Sequence, residues 1–122
     1  MKEGIVLFAH GSREPEWARP FERIARELAK KLSACEVRLA YLEVMRPSLD
    51  EALADLVAQE VRKIRVVPVF LGLGGHLKED LPRLVKAAGD QYPGLQLSVE
   101  KPIGEQPQVI EAIAAAVAKA RT

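Results

Sequence analysis

The sequence predicts an α/β protein built on one four-stranded parallel sheet with helices on both faces. Two observations carry this. Short apolar runs alternate four times with longer stretches of helical periodicity, the order that builds right-handed crossovers between parallel strands. The runs Ile5-Val6-Leu7-Phe8-Ala9 and Ile64-Arg65-Val66-Val67-Pro68-Val69-Phe70 are also nearly continuous rather than alternating, as strands buried on both faces must be.

Taken in order, the first strand is expected over Gly4–Ala9. A first helix follows over Glu16–Leu32, where Phe21, Ile24, Ala25, Leu28 and Leu32 recur on one face. Pro15 and Pro20 suit a loop and an irregular first turn better than a helix interior. The second strand covers about Glu36–Leu42. Ser48 and Glu51 then have the S-x-x-E spacing of a capping box, and Leu49, Leu53, Leu56 and Val57 continue an apolar face. A second helix is therefore expected to about Arg62.

The third strand spans Ile64–Phe70. Its helix is expected from about Lys78, because Pro82 is tolerable only in a first turn. Leu81, Leu84, Val85 and Ala88 supply the face, and the helix stops near Gly89–Tyr92, ahead of Pro93-Gly94. A short fourth strand, Gln96–Val99, leads to a last helix from Pro107 with Ile110, Ile113, Ala114 and Val117 as its buried stripe.

The 122 residues read as a single domain, residues 1–122, long enough for a core without disulfides or structural metals. Lys and Arg number 18 against 17 Asp and Glu, a balance that argues against a general nucleic-acid or membrane-surface binder and leaves room for a local basic patch. Cys35 is the only cysteine, which excludes an internal disulfide or a Cys-Cys metal cluster. No segment approaches the roughly 20 apolar residues of a membrane span, and the first strand is too short for a signal peptide. A soluble cytoplasmic protein is the expectation.

In open parallel sheets, ligands bind beyond the carboxyl ends of the strands, where strand order reverses. His10, Glu43 and His76 each follow a predicted strand, so three separate units deliver them to one edge. Neutral imidazoles are good ligands for Co²⁺, Ni²⁺ or Fe²⁺. Glu43 reads equally as an exposed carboxylate or as a group that helps hold a metal or accepts a proton. Glu79 and Asp80 best suit the positive end of the third helix.

Arg13, Arg46 and Lys78 sit in the same loops and offer cations to an anionic ligand. Gly72, Gly74 and Gly75, interleaved with Leu71 and Leu73, suit close approach of a ligand to the backbone. They do not make a phosphate loop, because its lysine and hydroxyl are missing. Ser12 is best read alone as a turn residue bonding local backbone. A histidine phosphatase would need Arg-His-Gly where Ala9 precedes His10, and a serine hydrolase would need G-x-S-x-G, which is absent.

Three motifs together resemble the small CbiX/SirB family of class II tetrapyrrole chelatases: Ala9-His10-Gly11-Ser12-Arg13, Leu42-Glu43-Val44-Met45-Arg46-Pro47-Ser48-Leu49, and Phe70-Leu71-Gly72-Leu73-Gly74-Gly75-His76-Leu77-Lys78-Glu79-Asp80-Leu81-Pro82. The resemblance implies the chelatase-like three-layer α/β/α fold and ATP-independent insertion of a divalent metal into sirohydrochlorin. Co²⁺ is the favoured substrate metal, with Ni²⁺ or Fe²⁺ as alternatives and no organic cofactor.

By resemblance, His10 and His76 are the metal-binding histidines and Glu43 the acidic group beside them, all three catalytic. Ser12, Arg13, Arg46, Leu71, Gly72, Leu73, Gly74, Gly75 and Lys78 contact substrate. Long members fuse two such domains around one cleft, so a short chain is expected to be half of a homodimeric unit. The histidine-rich segments and Cys-x-x-Cys tail of some relatives are missing, which counts against metal storage and an iron–sulfur cluster. Histidines must be deprotonated to take a metal, so activity is expected to fall below roughly pH 6.5, the free imidazole pKa. Two readings from other classes compete: a non-catalytic metal or tetrapyrrole carrier, and a structural subunit with a vestigial cleft.

Overall fold

The apolar run near the amino terminus lies in the interior of the sheet. In the computed structural model, which describes residues 2–119, this run is β1 (Glu3–Ala9). It is followed by a 3-10 turn (Pro15–Ala18), α1 (Arg19–Lys31), β2 (Cys35–Tyr41), α2 (Leu49–Ala58), β3 (Lys63–Pro68) and α3 (Gly75–Gly89). β4 (Gln96–Val99), a second 3-10 turn (Ile103–Glu105) and α4 (Pro107–Lys119) complete the order. The strands form one parallel sheet in the order β2-β1-β3-β4. This is the α/β class that the alternating pattern predicts. No described helix is long and apolar enough to cross a membrane.

Flanked by β2 and β3, β1 is buried from Gly4 to Ala9. Val6 and Phe8 belong to the core built with α2 and α3, together with Leu53, Leu56, Leu81 and Val85. Ile5, Leu7 and Val67 form the opposite face, on which Ala25, Leu28 and Leu32 pack. Each fully buried side chain of this size contributes about 1.5–3 kcal/mol of transfer free energy. β3 accommodates Pro68 because the ladder does not need its missing N–H. Val69 N–H donates to the Phe8 carbonyl at 2.8 Å, so the Pro68 nitrogen faces the opposite edge, where β4 pairs only as far as Val66.

The capping box at Ser48 forms as predicted. Glu51 N–H donates to Ser48 Oγ at 3.2 Å, and Ser48 N–H donates to Glu51 Oε1 at 2.9 Å. The end of α2 differs from expectation, because the helix stops at Ala58 rather than near Arg62. Glu60 adopts φ 64°, Glu60 N–H donates to the Val57 carbonyl and Val61 N–H to that of Leu56. Those are the two bonds of a Schellman cap, here with glutamate where glycine is usual. Val61 and Leu56 are both fully buried, so their hydrophobic contact holds the turn.

The start of α3 also differs. Gly75 rather than Lys78 begins the helix, which puts Pro82 in its interior. An interior proline costs about 3 kcal/mol in an exposed helix. Here it lies on the solvent side while Leu81, Val85 and Ala88 are buried, and their burial offsets that cost.

The predicted buried stripe of α4 is not buried within this chain. Ile110, Ile113 and Val117 are 54%, 43% and 64% exposed, because α4 packs mainly on the 3-10 turn just before it instead of over the sheet. Ile24, predicted on the buried face of α1, is likewise exposed. The predicted irregular start of α1 is present as the 3-10 turn at Pro15, and Pro20 falls in the first turn of the helix proper.

Candidate functional site

The strand order reverses between β1 and β3, since the chain runs from β1 out to β2 and then back across to β3. The carboxyl ends of these strands are therefore the expected ligand edge. His10 directly follows β1, Glu43 lies two residues past β2, and His76 sits in the first turn of α3 after the loop that leaves β3.

Pairing between the first two strands continues beyond their ends and brings Glu43 to His10. Leu42 N–H donates to the Ala9 carbonyl at 2.9 Å and Glu43 N–H to that of His10 at 3.1 Å. Gly11 crosses beneath this bridge at φ 99°. A Cβ there would collide with the Glu43 carbonyl oxygen. Val44 then turns the chain at φ 70°, and Met45 N–H donates to the Glu43 carbonyl at 2.7 Å. That closes a three-residue turn of the strained γ type, uncommon for a β-branched residue.

The result is a hydrogen bond in which His10 Nε2–H donates to Glu43 Oε1 at 2.8 Å. The side chains are about half exposed, 51% and 59%, so water screens the pair and it adds little to stability. Its value is orientational. A carboxylate can only accept, so the imidazole proton sits on Nε2 and the Nδ1 lone pair of the neutral ring is open. This is how a carboxylate commonly holds a metal-ligating histidine by its other nitrogen. Phe70 meets the His10 ring edge-on at 6.4 Å.

His76 lines a cavity of ≈ 700 Å³ together with Leu42, Glu43, Leu77, Asp80, Arg83 and Leu84. The fold thus joins His10 to Glu43 and sets Glu43 and His76 around one hollow. Among the described residues no three His, Cys, Asp or Glu side chains converge closely enough to hold a metal ion. A larger groove of ≈ 950 Å³ runs along α1, lined by Arg19, Arg23, Ile24 and Leu28 among others. It touches none of the candidate site residues, so the smaller cavity is the one with chemistry in it.

The remaining predicted residues divide. Arg46 is committed elsewhere: its guanidinium makes a two-point contact with the Glu51 carboxylate, Nε to Oε1 at 3.2 Å and Nη2 to Oε2. That pairing, with the Ser48 N–H, holds the Glu51 carboxyl well below its usual range, at about 2. Ser12 Oγ accepts from Glu14 N–H at 3.1 Å, the turn role. Lys78 points to a separate hollow of ≈ 450 Å³ with Leu73, Pro82 and Lys101. Gly72 and Gly74 have no atom within 4 Å of a Cβ position, and Leu71 is 73% exposed, so this loop is open to an incoming ligand. Arg13 is exposed.

Two charged residues of the cavity were not among the predicted site residues. Asp80 is in the second turn of α3 rather than the first, so the expected dipole role does not apply. Arg83 carried no signal of its own. Their spacing from His76, four and seven residues, would have marked both once the helix was known to begin at Gly75.

Comparison with known proteins adds an independent line. The family model described as CbiX matches residues 4–120. A sirohydrochlorin cobaltochelatase of Saccharolobus islandicus is 34% identical over 116 residues, 90% of this chain and 89% of that protein. One from Methanococcoides burtonii is 40% identical over 85 residues, 70% of this chain and 65% of that protein. The crystal structure of a cobalamin (vitamin B12) biosynthesis CbiX protein from Marinobacter aquaeolei VT8 superposes with a TM-score of 0.85 at 32% identity, covering 96% and 95% of the two chains. The sirohydrochlorin chelatase SirB from Bacillus subtilis subspecies spizizenii, solved in complex with cobalt, gives a TM-score of 0.84 at 28% identity. There 98% of this chain matches 51% of the larger protein.

Proposed function

The chain belongs to the CbiX family, and from that premise we propose that it inserts a divalent metal, Co²⁺ by preference, into sirohydrochlorin without ATP. The observation that carries the reading is the His10–Glu43 hydrogen bond at 2.8 Å on the switch-point edge, with His76 on the same cavity as Glu43. Two imidazoles, one just past β1 and one in the first turn of α3, can accept a partly hydrated ion and leave coordination positions free for the ring nitrogens.

Metallation exchanges the pyrrole N–H protons of the macrocycle for the ion. In this reading His10 and His76 bind the ion as substrate, and Glu43 keeps the His10 ring turned. The released protons pass to Glu43 or to a histidine freed when the metal leaves. The open Gly72–Gly75 loop gives a flat macrocycle access to backbone.

A homodimer is part of the proposal. The uncovered apolar stripe of α4 supports it, as does the chain's match to about half of SirB. Ile113→Glu with Val117→Glu should turn a dimer into a monomer by sizing.

The deciding experiment is a chelatase assay of purified protein with sirohydrochlorin and a panel of Co²⁺, Ni²⁺ and Fe²⁺, read by absorbance. Many turnovers per site, fastest with Co²⁺, are expected. A single metallated product per site would mark a carrier, and a different preferred ion would overturn the cobalt assignment.

A further inference from the structure

We propose that Arg83 is a specificity-determining residue that receives a rim carboxylate of the tetrapyrrole while His76 addresses its centre. The inference deepens the reading of the site given above and rests on it for the identity of the ligand.

With α3 beginning at Gly75, His76, Asp80 and Arg83 occupy positions i, i+4 and i+7, one above another on a single stripe. All three line the same cavity as Glu43. Arg83 is the one cation among the described residues lining this cavity, whereas elsewhere Arg38 pairs with Asp55 and Glu36, Arg46 with Glu51, Arg65 with Glu100 and Lys86 with Asp90. Arg83 has no carboxylate partner among the described residues, although Asp80 is placed three residues before it, at a spacing where helix ion pairs form. An unpaired guanidinium facing a hollow is a receptor for a planar anion, and it takes a carboxylate through two parallel N–H donors.

The spacing fits a macrocycle. Seven residues of helix place Arg83 about 10.5 Å along the axis from His76. In a tetrapyrrole, likewise, the carboxylates stand on the rim and the metal-accepting nitrogens at the centre. Leu77 and Leu84 flank the stripe, and Leu84 is 38% exposed, which gives the apolar ring a wall. The stripe is graded in charge: its acidic member, Asp80, lies nearer the metal-accepting end and its basic member lies at the rim. A ligand that takes a divalent cation at its centre and carries carboxylates on its periphery matches that order.

The test compares wild type, Arg83→Gln and Arg83→Lys, all of which should fold because residue 83 is exposed. Sirohydrochlorin affinity is read by fluorescence quenching without metal, and steady-state kinetics are run at saturating Co²⁺. Arg83→Gln should weaken tetrapyrrole binding and raise its KM by about tenfold, the worth of one charge-assisted contact. The kcat and the KM for Co²⁺ should stay within about twofold, Lys should restore part of the loss, and added salt should narrow the gap. A sirohydrochlorin ester, with its carboxylates masked, should bind wild type and Arg83→Gln alike. Unchanged tetrapyrrole affinity in Arg83→Gln, or a loss equally large for the ester, would overturn the assignment. Arg83-dependent binding without turnover by wild type would uphold the carboxylate contact and defeat the chelatase reading instead.

Discussion

Gly11 lies directly beneath the Glu43 carbonyl, so close that no side chain fits between them. Residues 32 positions apart in the chain therefore share one van der Waals surface, and the orientation of the Glu43 carboxylate toward His10 depends on it.

Gly11→Ala should be the most disruptive single-methyl change at the site. The new Cβ meets backbone rather than a yielding side chain, at φ 99°. A loss of about 1–3 kcal/mol in stability is expected, together with loss of metallation, measured by thermal melting and the chelatase assay. Gly74→Val, with open space around residue 74, should leave the fold largely intact and raise the KM for tetrapyrrole.

The His10–Glu43 pair predicts a graded response. His10→Ala removes a proposed ligand and should abolish tight Co²⁺ binding in a calorimetric titration. Glu43→Gln preserves an acceptor for Nε2–H but removes the charge behind it. It should weaken Co²⁺ by about 10-fold, at the lower end for altered partners of metal-ligating histidines. Equal, wild-type affinity in both variants would remove these residues from the site.

Glu51 gives a pH signature that is separate from catalysis. Its carboxyl is held at about 2 in the folded chain, first by Arg46 and then by the Ser48 N–H, against an ordinary value of 4.5. A depressed folded pKa contributes stability above the unfolded value and loses it as pH falls through the folded one. Melting temperature should therefore decline between about pH 4.5 and 2 more steeply in wild type than in Glu51→Gln. Parallel curves would show that the pair is too exposed to matter.

Glu60→Gly should stabilise the protein. The Schellman cap of α2 needs a left-handed residue at this position, and glutamate at φ 64° bears a steric cost there that glycine does not. A gain of about 1 kcal/mol, or about 4 °C in Tm, is expected from differential scanning calorimetry.

The kinds and order of the elements were legible in the sequence. β1 was placed to within one residue, β4 to the residue, and the Ser48–Glu51 capping box to the atom. Each of these rests on signals that act over a few positions: apolar periodicity, a cap side chain reaching its own helix end, and a proline that forbids continuation. The resemblance carried by the three strand-end motifs pointed to the family, and the family-model match covers residues 4–120.

What the tertiary structure alone decided lies where distant parts of the chain compete with those local signals. Burial of Leu81 and Val85 overrides the proline rule and starts α3 at Gly75, which turns Asp80 from a helix-end charge into a cavity residue and brings Arg83 to the same cavity. Contact between Leu56 and Val61 ends α2 early through a glutamate that propensity would not choose. Arg46, grouped by sequence with the substrate-binding cations, is drawn to Glu51 five residues on, and α4 leaves uncovered the stripe that periodicity assigned to the core. Above all, Glu43 meets His10 because β2 pairs with β1 in one register, and no local preference can specify a contact between residues held together only by the sheet between them.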